Sequence, residues 1–134
     1  MIGIDTNVLV RFLTADDALQ YQKAVKLFGT EIIFIGDTVF LETAWVLRYS
    51  YGYDRLHICD AFRKVIGLEN VEVSDMYSLE AVIAAHAAGV DFADALHWMG
   101  NRRCTAFLSF DRQFVHRANL LNQLVGVSIV REVV

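Results

Sequence analysis

Proline is absent from this 134-residue sequence, and cysteine occurs only twice. No Pro-rich, Ser-rich or low-complexity stretch marks a linker and no internal repeat is found, so the chain reads as one domain over residues 1–134. Cys59 and Cys104 are too few for a disulfide scaffold and show no metal-type pair spacing. They read as small core residues in a reducing cytosol. No apolar run approaches the ~20 residues of a membrane span. The opening MIGID also lacks the charged and apolar regions of a signal peptide. A soluble, cytoplasmic protein with no membrane partner is expected. Positive charge is scarce too, with 12 Lys and Arg against 16 Asp and Glu and a net charge of −4. No global basic field advertises nucleic acid, and any polyanion must be held by local cations.

What the sequence does hold is apolar material, 55% of its residues, ample for one core. Five short runs, mostly β-branched or aromatic and bounded by Asp, Gly or Asn, read as strands: Ile2 to Ile4, Glu31 to Ile35, Val71 to Val73, Thr105 to Ser109 and Val127 to Val130. Unbroken runs of this kind suit strands covered on both faces. Helical patterns lie between them, over Thr6 to Thr14, Ala18 to Phe28, Thr38 to Ser50, Asp54 to Ile66, Leu79 to Ala88, Phe92 to Arg103 and Arg112 to Ala118. Strands alternating with helices imply an α/β fold, a parallel sheet with helices on both faces.

That topology brings acids together. In an open parallel sheet the functional crevice lies beyond the carboxyl ends of the strands. Asp5 directly follows the first strand, Asp111 follows the fourth in LSFDRQF, and Glu42 lies in the early turns of the helix after the second. The helix that runs back into strand four opens at the same edge with VDFADALHWMG, carrying Asp91 and Asp94. Five carboxylates from four segments are thus expected at one rim. Two like charges ~4 Å apart repel by about 4 kcal/mol at an effective dielectric near 20, so the group must either raise its pKa values or bind a cation. Oxygen ligands without His or Cys favour Mg²⁺ or Mn²⁺ over zinc. Such ions suit phosphodiester hydrolysis.

Each acid also has a plainer role open to it. Asp5 and Asp111 suit helix N-caps, as does one of Asp91 and Asp94, with Asp94 the better placed for a metal. Glu42 sits in VFLETAWVL, a helix apolar nearly all round, where Trp45, Val46 and Tyr49 share its face and a lone charge needs a partner. Asp16, Asp17, Asp37, Asp54, Asp60 and Asp75 read as caps or solvated turn residues.

Taken together, MIGIDTNVLV, VFLETAWVLR, VDFADALH and SFDRQF resemble the PIN-domain ribonucleases, in particular the VapC-type toxins of toxin-antitoxin pairs, and the resemblance runs over almost the whole chain. It implies a three-layer α/β/α sandwich with a five-stranded, mostly parallel sheet of order 3-2-1-4-5. It also implies Mg²⁺ or Mn²⁺ held by Asp5, Glu42, Asp94 and Asp111. Thr6 and Asn7 match the family's Asp-Thr-Asn opening, and Ser109 a hydroxyl residue two places before the last acid, where threonine is more usual. These three are expected in supporting roles. Asp91 matches an acid found in some members, as a ligand or a supporting group. The implied reaction is hydrolysis of RNA by metal-activated water, and the implied partners are an antitoxin and a second copy of the chain.

Arg11, Arg48 and Arg112 are the candidate RNA contacts, with Arg102 and Arg103 also flanking strand four. Tyr49, Tyr51 and Tyr53 in RYSYGYDR could stack bases, although core or interface packing is the plainer reading. The four histidines scatter over helices, His97 alone lying one turn beyond Asp94. No GxSxG elbow supports serine chemistry. A phosphoacceptor receiver domain would need a lysine near the last strand, and none follows Lys64. A catalytically silent PIN-like module binding RNA or protein is the other alternative, but it would be expected to have lost acids that are retained here.

Overall fold

Asp5 lies two residues past the first strand and caps the first helix. Its carboxylate accepts a hydrogen bond from the Val8 amide (3.1 Å), closing the amino end of α1, Thr6–Thr14, behind β1, Ile2–Gly3. The computed structural model describes residues 1–125 and 129–134, with side chains described for 1–122 and 129–134. It falls into two compact units, Met1–Asp75 and Met76–Val134. The chain is mixed α/β, with seven helices and parallel strands among the described residues, and none of those helices is long and apolar enough to cross a membrane.

In the first unit α1 is followed by α2, Ala18–Thr30, then β2, Ile33–Ile35, α3, Asp37–Tyr49, α4, Arg55–Ile66, and β3, Val71–Val73. Asp17 caps α2 and Asp54 caps α4, each accepting from the amide three residues on. β2 pairs in parallel with β1 (Ile2 opposite Ile33) and with β3 (Ile33 opposite Val71), giving the order 3-2-1. Asn70 ties the strand entries together, its amide donating to the carbonyls of Phe28 (2.6 Å) and Glu31 (2.7 Å). The core is built from Ile33 and Ile35 of β2, Phe40 and Leu47 of α3, and Ile58 and Phe62 of α4, with the Phe40 and Phe62 rings edge to face at 5.2 Å. β1 departs from the expectation of cover on both faces, since both of its residues are exposed. β2 is shorter than its apolar run because the Glu31 amide still bonds the Leu27 carbonyl and so belongs to the end of α2.

α1 ends in a left-handed turn at Ala15 (φ 55°), whose amide donates to the Arg11 carbonyl (3.0 Å). A side chain costs energy in that conformation and glycine does not. Ala15 is exposed, so its methyl packs on little. Ala15→Gly is expected to stabilise the protein by about 0.5–1 kcal/mol after the extra unfolded-state entropy of glycine is deducted. Urea unfolding checks it, a higher midpoint being the expected outcome.

The second unit contains α5, Met76–Ala87, α6, Phe92–Gly100, β4, Ala106–Ser109, α7, Arg112–Val125, and β5, Ile129–Glu132. β4 and β5 pair in parallel from Ala106 opposite Ile129 to Ser109 opposite Glu132. The order 3-2-1 and the 4-5 pair match the corresponding parts of the expected sheet. α5 packs on α6, with Leu79, Val82 and Ile83 buried on the one and Ala95 and Trp98 on the other, and Trp98 meets the Phe114 ring edge-on at 6.2 Å. In the last turn of α5 His86 is buried, with Nδ1 2.7 Å from the Val90 carbonyl, a structural role. α6 stops at Gly100, short of the expected Arg103, and α7 continues to Val125, past the expected Ala118. β5 begins at Ile129; the expected start at Val127 lies outside the described residues. Cys59 is buried as expected, but Cys104 is exposed, because the chain has left α6 and β4 has not yet begun.

Candidate functional site

Three of the sequence-predicted acids line one pocket of the second unit. Asp91 is the N-cap of α6 and accepts from the Asp94 amide (3.2 Å), which leaves the Asp94 carboxylate, one turn in, clear of capping duty. Asp111 accepts from the Phe114 amide (3.1 Å) at the start of α7, while its own amide donates to the Ser109 hydroxyl (3.0 Å) at the end of β4. Ser109 therefore holds the turn that presents Asp111. The cavity that Asp91, Asp94 and Asp111 share has a volume of about 120 Å³, and Arg117 closes part of its wall by donating to the Gly89 carbonyl (2.7 Å).

Electrostatics register that crowding. The half-buried Asp94 carboxyl is held above the ordinary carboxylate range, first by burial, then by the negative charge of Asp91 and Asp111, with His97 pulling the other way. Burial first, and then the neighbouring carboxylates, disfavour the Asp94 anion, a cost that a cation would offset. On chemistry and charge the donor set, oxygens alone, fits a hard divalent ion. Among the described residues, however, no three His, Cys, Asp or Glu side chains come together as a complete ion cage.

In the first unit Asp5 is exposed at the start of α1 and lines a larger cavity between α1 and α2, of about 330 Å³, with Asn7, Arg11 and Lys23. Arg11 is engaged on three sides: Nε donates to Gln20 Oε1 (2.7 Å), a terminal nitrogen donates to the Tyr51 hydroxyl (3.1 Å), and the same nitrogen pairs with Asp16 (3.2 Å). Tyr51 donates in turn to Asp16 (2.5 Å), and this bond, ahead of the Arg11 charge, holds the Asp16 carboxyl below its usual range. Tyr51 thus works as a strut, and Tyr53 stacks on His57 with ring centres 3.8 Å apart. Packing is what these two tyrosines do.

Glu42 is exposed, which corrects the expectation of a charge stranded on an apolar helix. The inner face of α3 is Phe40, Thr43, Ala44 and Leu47, whereas Trp45 and Tyr49, on Glu42's side at helical spacing, are 62% and 69% exposed. Arg48 and Arg112 are exposed as well, and Arg112 pairs with Glu132 (2.8 Å). Thr6 is half-buried and Asn7 exposed. Asp37 and Asp75, expected only as caps or turn residues, act on each other: Asp37, just after β2, is held above the usual range by burial and then by the charge of Asp75, just after β3. Each sits two residues past a strand end, as Asp5 does.

The PIN domain family profile matches residues 2–120. The chain belongs to the PIN-domain family. The match runs through both compact units and takes in Asp5, Glu42, Asp94 and Asp111. PIN domains are generally nucleases that use divalent metals. No curated protein sequence matches the chain.

Proposed function

We propose that this PIN domain, a single domain over residues 1–134, is a Mg²⁺- or Mn²⁺-dependent endoribonuclease of the VapC toxin kind, acting in the cytoplasm and held in check by an antitoxin. The observation that carries the reading is the meeting of Asp91, Asp94 and Asp111 in one pocket of a chain from a nuclease family. Asp5, Glu42, Asp94 and Asp111 are the proposed ligands, with Asp91 a further ligand or a supporting acid. When bound, the divalent ion would activate water and offset charge on the phosphate. The protein's own part is to fix the oxygens. Asp91 orders the first turn of α6 beneath Asp94, and Ser109 orders the turn before Asp111. Thr6 and Asn7 are proposed to support Asp5 in the same way. Arg48, exposed on α3, is the arginine readiest to meet phosphate, since Arg11 and Arg112 must first leave their partners. The exposed Trp45 and Tyr49, rings 5.2 Å apart, support a homodimer through α3. The test is expression with and without Asp94→Asn, followed by sequencing of RNA 5′ ends. Growth arrest and new 5′ ends that vanish with the substitution are expected, and ends that persist unchanged contradict the reading.

A further inference from the structure

The cavity between α1 and α2 has no part in holding the proposed metal beyond sharing Asp5. Its volume, about 330 Å³, falls within the roughly 300–1,000 Å³ of small-ligand pockets. Val8, Ala24 and Leu27 give it an apolar wall, while Asp5, Gln20 and Lys23 give it polar ends. Arg11 fixes what Gln20 can offer. A guanidinium only donates, so the Gln20 oxygen must face Arg11 Nε (2.7 Å), and the amide nitrogen is left for a ligand. Lys23 is exposed at the rim, a compact positive charge of the sort that meets phosphate.

We infer that this cavity holds one nucleotide of the RNA, beside Asp5, with its base against Val8, Ala24 and Leu27, a base carbonyl accepting from Gln20, and its phosphate on Lys23. The inference rests on the nuclease reading and adds to it a place where substrate is read. A donor at Gln20 favours a base that bears a carbonyl, so uracil binds better than adenine. An aliphatic side chain of a protein partner would use the apolar wall but leave Gln20 and Lys23 without a role.

The test is an NMR titration of the full chain with UMP and with AMP, in EDTA. Saturable shifts at the Val8, Ala24 and Leu27 amides are expected with UMP, at several-fold higher affinity than with AMP. Lys23→Glu should weaken UMP binding tenfold or more, and Lys23→Arg should retain it. Lys23 is exposed, so both variants should keep the wild-type spectrum. Equal response to UMP and AMP, binding indifferent to Lys23→Glu, or no shift at these amides overturns the inference. The two readings fail separately. A protein that cuts RNA without those shifts has lost the subsite alone, whereas one that binds UMP but cuts no RNA keeps the subsite and loses the nuclease reading.

Discussion

Asp94→Asn is expected to lower Mn²⁺-dependent RNA cleavage at least a hundredfold while leaving the fold intact. Asparagine has the size of aspartate and Asp94 caps nothing, so the change removes charge and little else. Loss of a metal's outer partners already costs about 10–100-fold, and loss of a ligand oxygen should cost no less. A purified-protein cleavage assay reads it, and retention of a tenth or more of the activity would contradict it. The same variant has an opposite effect on stability. The Asp94 carboxyl is held above its ordinary value of 3.8 by burial first, then by Asp91 and Asp111. Below that value both folded and unfolded chains are protonated and the group contributes nothing. As pH rises past it, the unfolded chain releases the proton before the folded one does, so stability falls through this window and the cost persists at neutral pH. Asparagine cannot ionise and escapes that cost. In EDTA at pH 7 the variant should therefore melt at or above the wild type, and the difference should close as the pH drops below 3.8. Saturating Mn²⁺ should reverse the order, because only the wild type gains binding energy.

Trp98→Ala carries the largest expected loss of stability. Trp98 is fully buried one turn beyond Asp94 on α6, edge-on to Phe114, which lies in the first turn of α7 after Asp111. Replacing a buried tryptophan by alanine costs about 3–5 kcal/mol, out of a total that is typically ~5–15 kcal/mol. A chain of this length should lose about 10 °C or more in melting temperature. Trp98→Phe, which keeps a ring against Phe114, should lose much less. Thermal melts by circular dichroism check both, and a fall of only a few degrees for the alanine variant would mean that α6 is anchored elsewhere.

The element order was legible because strand and helix differ in period, and apolar residues in this chain follow those periods closely. Val71 to Val73 and Thr6 to Thr14 match the structure at both ends, each flanked by a residue that stops it. Boundaries slipped where an end is set by a tertiary or capping bond. Glu31 has the pattern of a strand although its amide closes α2, and Cys104 has the character of a core residue although it sits in the turn before β4. Asp91 and Asp94 are separable in the sequence, because an N-cap and the residue three places on cannot both cap one helix. The exposure of Glu42 is hidden from the sequence for a different reason. Letter counts treat Trp45 and Tyr49 as core, whereas on α3 they lie on the exposed side and buried Thr43 takes the inner one. The engagement of Arg11 by Gln20, Asp16 and Tyr51 joins residues up to 40 positions apart, and nothing local in the sequence announces it. Asp37 and Asp75 each suit a cap or a turn when taken singly, and their mutual charge appears only once β2 and β3 are neighbours.

At the centre lies the proposal that acids from both ends of the sequence hold one divalent ion. Calorimetric titration of Mn²⁺ into the wild type, Asp5→Asn and Asp94→Asn tests it most directly. One saturable site in the wild type, severely weakened by either substitution alone, is the predicted result. Wild-type Mn²⁺ affinity in Asp5→Asn, or no saturable binding to the wild type at all, would contradict it.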